Sequence, residues 1–324
     1  MFHPGHAPLR IAGLLTEGVF LQYPYLILVN SLIPALLAGN TLLLKPSPQT
    51  PTVAEHIVSI FSEAGLPENV LQTVHSGNPT TLEPLLRSPD IGSIAFTGSV
   101  AGGIAVQKVA ASRVIPVGLE LGGKDPAYVR PDVNIGWAAE NIVDGAIFNS
   151  GQSCCAIERV YVHEEIYDQF LEEVVNVLMG YKLGDPLDPN TMIGPVVSAR
   201  AAKTIADHIK DAQDKGARKL TPDVFRGGVE LGETFVRPEL LADCDHSMRI
   251  MTEETFGPTI PVMKVSGDEE AVRLMNDSEF GLTASVWTKD SDVGLQLVEQ
   301  IEAGTVFVNR CDYPSPVSPI SFPW

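Results

Sequence analysis

Ile91-Gly92-Ser93-Ile94-Ala95-Phe96-Thr97-Gly98-Ser99 is a short apolar run that breaks on Thr-Gly-Ser. Its flanks decide the fold. Ala101 to Ser112 follows with helical spacing, and Val114–Leu121 is a second apolar strand. The same alternation precedes the run. Gly13 to Leu21 reads as a strand, Tyr25 to Leu37 as a buried helix, and Ala38-Gly39-Asn40 as its C-terminal cap. Strand Thr41–Leu44, helix Thr52 to Ala64, strand Val70–Val74 and helix Thr80 to Leu86 complete the series. Strands joined through helices imply a parallel sheet with helices on both faces, the arrangement of dinucleotide-binding folds. Thr97-Gly98-Ser99 would then close a strand and open a helix whose first N–H groups suit a phosphate. The spacing Gly98, Gly102, Gly103 departs from G-x-G-x-x-G and is weak taken alone.

A second α/β pattern begins near Ile135. Helix Gly136–Phe148, strand Val160–His163 and helix Tyr167–Gly180 lead to strand Thr259–Val265 and helix Glu269–Asp277. Strand Ala284–Thr288, helix Ser291–Ile301 and strand Thr305–Val308 follow. The expected fold class is α/β, a Rossmann-like parallel-sheet domain over residues 1–121 and an α/β domain over 122–310. The boundary falls at Gly122–Asp125, where two glycines let the chain turn, and residues 311–324 form a Pro-rich tail.

Length and composition agree with two ordinary domains. The chain has 324 residues, 44% hydrophobic and 19% charged, and a formal net charge of −18. That charge repels nucleic-acid phosphate and anionic lipid, so neither is an expected partner. No charge occurs between Glu17 and Lys45, but Pro24, Pro34 and Gly39 divide that run, so it reads as strand, helix and strand rather than a membrane span. The cysteines are Cys154, Cys155, Cys244 and Cys311. They have neither the spacing of a disulfide framework nor that of a zinc site, which points to a reducing compartment. The N-terminus has no basic amphipathic leader, and a cytoplasmic location is expected.

Two further runs carry chemistry. Leu119-Glu120-Leu121-Gly122-Gly123-Lys124 ends a strand on a carboxylate, and Phe148-Asn149-Ser150-Gly151-Gln152-Ser153-Cys154 places a thiol after a Gly-Gln turn. A carboxylate base and a soft nucleophile are what covalent chemistry at a carbonyl carbon needs. An isolated Cys packs as a small hydrophobe, and an isolated strand-end Glu is usually a hydrated edge residue. Together the runs resemble the glutamate and cysteine signatures of the aldehyde dehydrogenases, 34 positions apart as is typical there. Glu253-Glu254-Thr255-Phe256-Gly257-Pro258 resembles that family's cofactor-contacting motif, and the likeness extends from Gly13 to Asn309.

The resemblance implies oxidation of an aldehyde to a carboxylic acid with NAD or NADP, through a cysteine thiohemiacetal and thioester. Cys154 is then the nucleophile and Glu120 the general base. Gln22, in Phe20-Leu21-Gln22-Tyr23-Pro24, takes the place of the family's oxyanion-holding asparagine, one methylene longer. Losing an oxyanion donor lowers the rate by roughly 100- to 1,000-fold, so a misplaced amide would slow catalysis. Lys45 and Ser47 stand where the family meets the adenosine ribose, and Gly98, Ser99 and Gly102 where it meets phosphate. Glu254 and Phe256 stand beside the nicotinamide ribose and ring. Pro48 replaces a ribose-binding glutamate, which favours NADP by removing a charge that would repel a 2′-phosphate. The family carries longer segments at both ends, so the chain reads as shortened. Pro314, Pro316, Pro319 and Pro323 break the tail where relatives pair subunits, and a family-type homo-oligomer is not expected. The alternative is a nucleotide-binding remnant with little or no catalysis.

Overall fold

A computed structural model describes residues 11–15, 23–76, 79–221 and 232–311. The chain divides into two compact units, one running to Gly122 and one starting at Gly123.

In the first unit, β1 (Ile11–Leu15), β2 (Thr41–Lys45), β3 (Leu71–Thr73), β4 (Ile91–Thr97) and β5 (Val117–Glu120) form one parallel sheet in the order β3-β2-β1-β4-β5. They alternate with α1 (Pro24–Leu37), α2 (Thr52–Glu63), α3 (Pro79–Arg87) and α4 (Val100–Ala110). Progression runs outward from β1 through β3, then restarts on its other side with β4. Helices of the two halves therefore build separate cores. Leu28, Leu32, Ala54 and Ile57 pack with Leu42, Leu44 and Leu71, while Leu82, Leu86, Val106 and Ala110 pack with Ile91, Ile94 and Phe96. The uncharged run resolves into α1, a turn with Gly39 at φ 81° and β2. Residues 16–22, including the remainder of the expected first strand, lie outside the described residues. β5 begins three residues later than expected, because Pro116 has no N–H to give a ladder and Val114 is fully exposed.

The second unit holds β6 (Asp125–Val129), β7 (Ile157–His163), β8 (Arg218–Lys219), β9 (Glu239–Ala242), β10 (Thr259–Val265), β11 (Thr283–Trp287) and β12 (Thr305–Val308). Their order is β12-β11-β6-β7-β10-β9-β8, parallel except for the β8–β9 pair. On one face lie α5 (Ile135–Ile147) and α6 (Tyr167–Leu178), with Ile142, Phe170 and Val174 against Val160 and Val262. Another core gathers side chains of α7 (Ala199–Asp214), α8 (Arg249–Thr252), α9 (Asp268–Asn276) and α10 (Ser291–Val298), through Ile205, Ile250, Leu274 and Leu297.

Three differences from the sequence reading have physical causes. β6 escapes the apolar-run criterion because Pro126 interrupts it, and the ladder shifts register between Asp125 and Pro126. β7 starts at Ile157, not Val160, since Glu158 and Arg159 are strand residues buried to 3% and 1% exposure. α7 lies in a stretch where the sequence predicts no element, although Ser198 caps it and Ile205, Ile209 and Ala212 make its buried stripe.

Candidate active site

The thiol of Cys154 lies between the end of α5 and the start of β7, on a tightly turned loop. Asn149, Ser150 and Gly151 take φ of 52°, 60° and 69° in succession. Asparagine tolerates such an angle, but serine holds it only where its surroundings impose it. Here Ser150 Oγ donates to the Gly194 carbonyl at 2.9 Å, and Asn149 Nδ2 donates to the Gln152 carbonyl at 3.2 Å. Gln152 Nε2 returns a bond to the Asn149 carbonyl at 3.1 Å, while its Oε1 accepts the Val197 amide at 2.8 Å. Gln152 thus holds the loop from both ends of its amide, a role the sequence alone does not assign.

Gly151 makes the loop possible in a second way. A β-carbon on it would fall on the Gly257 carbonyl, so the cysteine loop and the Glu254–Pro258 segment meet backbone to backbone. A β-carbon on Gly123 would likewise fall on the Cys154 carbonyl. Three separate stretches of sequence therefore converge, Gly123–Asp125, Asn149–Cys155 and Glu254–Pro258. Glu254 closes the group by accepting the Gly123 amide at 3.2 Å.

The electrostatics of this cluster favour neutral groups. The Cys154 thiol is held well above its usual range by hydrogen bonding with Cys155, by burial, and by Asp125 and Glu254 nearby. Ser153 Oγ lies 3.4 Å from Cys155 Sγ, and Cys154 and Cys155, neither in a disulfide, are of intermediate exposure. Asp125 is raised well above the ordinary carboxylate range by burial, although Thr283 donates to it from its amide at 3.1 Å and its hydroxyl at 2.6 Å. Glu254 is pushed up to about 7 by burial and by the charge of Glu158. At rest Cys154 is therefore a protonated thiol.

In the first unit, the strand order reverses between β1 and β4, and parallel sheets bind ligands beyond the carboxyl ends of strands at such a reversal. The sequence-derived candidates there lie at that edge. Lys45 ends β2 and Ser47 follows it, each 1% exposed. Gly98 follows β4 and its amide donates to the Glu120 carbonyl at 2.9 Å, while Glu120 itself is exposed at the end of β5. Ser99 caps α4 by accepting the Gly102 amide at 3.2 Å. A β-carbon on Gly102 would reach the Phe96 ring at 2.7 Å, so this glycine lets α4 sit close on β4. Gln22 lies outside the described residues.

The chain matches the model of the aldehyde dehydrogenase family over residues 21–322. It belongs to that family. Among curated relatives it is 36% identical to lactaldehyde dehydrogenase of Escherichia coli over 304 residues, 93% of this chain and 62% of that one. Its identity to retinaldehyde dehydrogenase 3 of Homo sapiens is 37% over 305 residues, 94% of this chain and 58% of the relative. Among solved structures, the NADP-dependent glyceraldehyde-3-phosphate dehydrogenase of Bacillus halodurans, complexed with NADP, gives a TM-score of 0.87 at 34% identity, covering 95% of this chain and 63% of that one. The Mycobacterium tuberculosis aldehyde dehydrogenase complexed with NAD+ gives 0.86 at 35%, covering 93% and 62%. The chain thus spans about three fifths of the length of these aldehyde dehydrogenases.

The aldehyde dehydrogenase reading leaves other features outside the site. Among the described residues, no group of three or more His, Cys, Asp or Glu side chains is arranged to hold a metal. No described helix is long and apolar enough to cross a membrane. A groove of about 540 Å³ lined by Arg130, His163, Asp268 and Glu270 contains none of the candidate residues. Its Arg130 is engaged by Asp268 at 3.0 Å and Asp132 at 3.3 Å.

Proposed function

We propose that this chain oxidises an aldehyde to the carboxylic acid, with NAD or NADP as acceptor and Cys154 as nucleophile. The observation that carries the reading is the convergence of Gly123–Asp125, the cysteine loop and Glu254–Pro258 around the partly buried Cys154 thiol. The residues fit a dinucleotide. Glu254 offers a carboxylate beside Gly123, and the turn from β4 into α4 lies at the strand-order reversal. Lys45, Ser47, Gly98, Ser99 and Gly102 would hold its adenosine and phosphate half, and Glu254 and Phe256 its nicotinamide half. When bound, it takes the hydride that leaves the aldehyde carbon.

The remaining steps belong to the chain. As the Cys154 Sγ–C bond forms, the thiol proton passes to a base and the carbonyl oxygen becomes an alkoxide, a thiohemiacetal. Gln22 is assigned to hold that oxygen by its side-chain amide. After hydride loss Cys154 carries a thioester. Glu120 removes a proton from water, the water oxygen bonds to the acyl carbon, and the C–S bond breaks to return Cys154 and release the acid. Pro48, at the place of the ribose-binding glutamate, supports use of NADP.

The test is aldehyde-dependent formation of reduced nicotinamide, across a panel of aldehydes and with each cofactor. Turnover by the parent and a loss of at least 1,000-fold in Cys154→Ala is expected, the scale seen when a covalent nucleophile is removed. Equal turnover by the variant would reject the assignment. Cofactor binding with no turnover would favour the nucleotide-binding remnant.

A further inference from the structure

Beneath the candidate site lies a buried ion pair to which the proposed steps give no role. Lys124 Nζ and Glu158 Oε2 are 2.6 Å apart, with side chains 0% and 3% exposed. A pair of this kind is weak evidence of net stability, because removing both charges from water costs about what their attraction returns. Its position is more informative. Glu158 Oε2 accepts the Thr255 amide at 2.7 Å, and Oε1 accepts the Phe256 amide at 2.8 Å. Lys124 Nζ also donates to Thr255 Oγ1 at 3.1 Å, and that hydroxyl lies 3.2 Å from His208 Nδ1. Arg159 Nε donates to the Lys124 carbonyl at 2.7 Å, fixing the lysine from the other side.

One carboxylate thus holds two successive amides of the segment that bears Glu254 and Phe256. Phe256 has a φ of 54°, which a bulky side chain keeps only under outside constraint, and its amide is one that Glu158 holds. Glu158 lies four residues past Cys154, at the start of the strand that leaves the cysteine loop. We infer that Glu158 is the positioning residue of the Glu254–Phe256 segment, with Lys124 as its counter-charge, and that it holds this segment in the conformation that receives the nicotinamide half of the cofactor. The inference rests on the proposed use of a dinucleotide.

Two variants of the full chain test it, Glu158→Gln alone and Glu158→Gln with Lys124→Met. A glutamine oxygen accepts one of the two amides and turns an N–H toward the other. In the single variant, hydrogen exchange of the peptide spanning Thr255 and Phe256 should speed at least tenfold, while α5 and β10 stay within twofold of the parent. The dissociation constants for NAD and NADP, from calorimetric titration, should rise at least tenfold. The double variant removes the stranded lysine charge. It should melt nearer the parent temperature yet recover neither the exchange protection nor the affinity.

Unchanged protection in the single variant would overturn the inference, as would its return in step with the melting temperature in the double variant. A parent with no affinity for either dinucleotide would reject the proposed function. The exchange result would then decide the positioning role by itself.

Discussion

Glu254 combines a legible motif position with contacts that only coordinates show. Its place in Glu-Glu-Thr-Phe-Gly-Pro marks it in sequence, but its bond to the Gly123 amide and its displaced titration come from the fold. Burial and Glu158 push it up to about 7 from an ordinary 4.5. The folded state therefore binds a proton more tightly than the unfolded one. That contribution is complete below about pH 4.5 and is lost as pH rises through about 7. Glu254→Gln keeps an oxygen for Gly123 and does not ionise, so it should gain up to about 3 kcal/mol over the parent between pH 5 and 8. Chemical denaturation at both pH values measures this, and parallel pH dependence of the two proteins would refute it. Lys124, Glu158 and Arg159 were not legible as site residues. A charge in a strand pattern reads as a strand end, and partners up to 131 positions away in sequence cannot be seen from spacing.

Among the elements, the long apolar and amphipathic ones are legible from periodicity, and the expected Thr259–Val265 and Thr305–Val308 coincide with β10 and β12. β6 was hidden by Pro126. The cysteine loop was visible as a motif, but not as three successive left-handed residues pressed on another loop. That geometry makes a prediction. Gly151→Ala places a β-carbon on the Gly257 carbonyl and puts alanine at a φ of 69°. It should destabilise the second unit by about 3 kcal/mol, since a left-handed alanine alone costs about 1–2 kcal/mol. Equilibrium unfolding measures the loss. A variant within 0.5 kcal/mol of the parent, on the order of a neutral surface change, would mean the two loops do not meet as described.

Across the whole molecule, alternating strands and helices made the α/β class legible, and the paired glutamate and cysteine runs made the family legible. Strand order was not. The reversal between β1 and β4 depends on pairing between distant segments, which local periodicity does not encode. That reversal, with Pro48 beside Ser47, underlies the cofactor prediction. NADP should bind at least as tightly as NAD, and Pro48→Glu should move the preference toward NAD by about tenfold, or 1.4 kcal/mol. Competitive titration checks this, and a parent with a tenfold preference for NAD would contradict it. The central claim is that aldehyde oxidation proceeds through an acyl group on Cys154. Rapid quenching in acid after mixing the chain with an aldehyde and oxidised cofactor, followed by peptide mass spectrometry, tests it most directly. The account predicts an acyl mass on the peptide containing Cys154, assigned to that sulfur by fragmentation and absent when the oxidised cofactor is omitted. Turnover with no acyl adduct on Cys154, or with the adduct on Cys155, would contradict it.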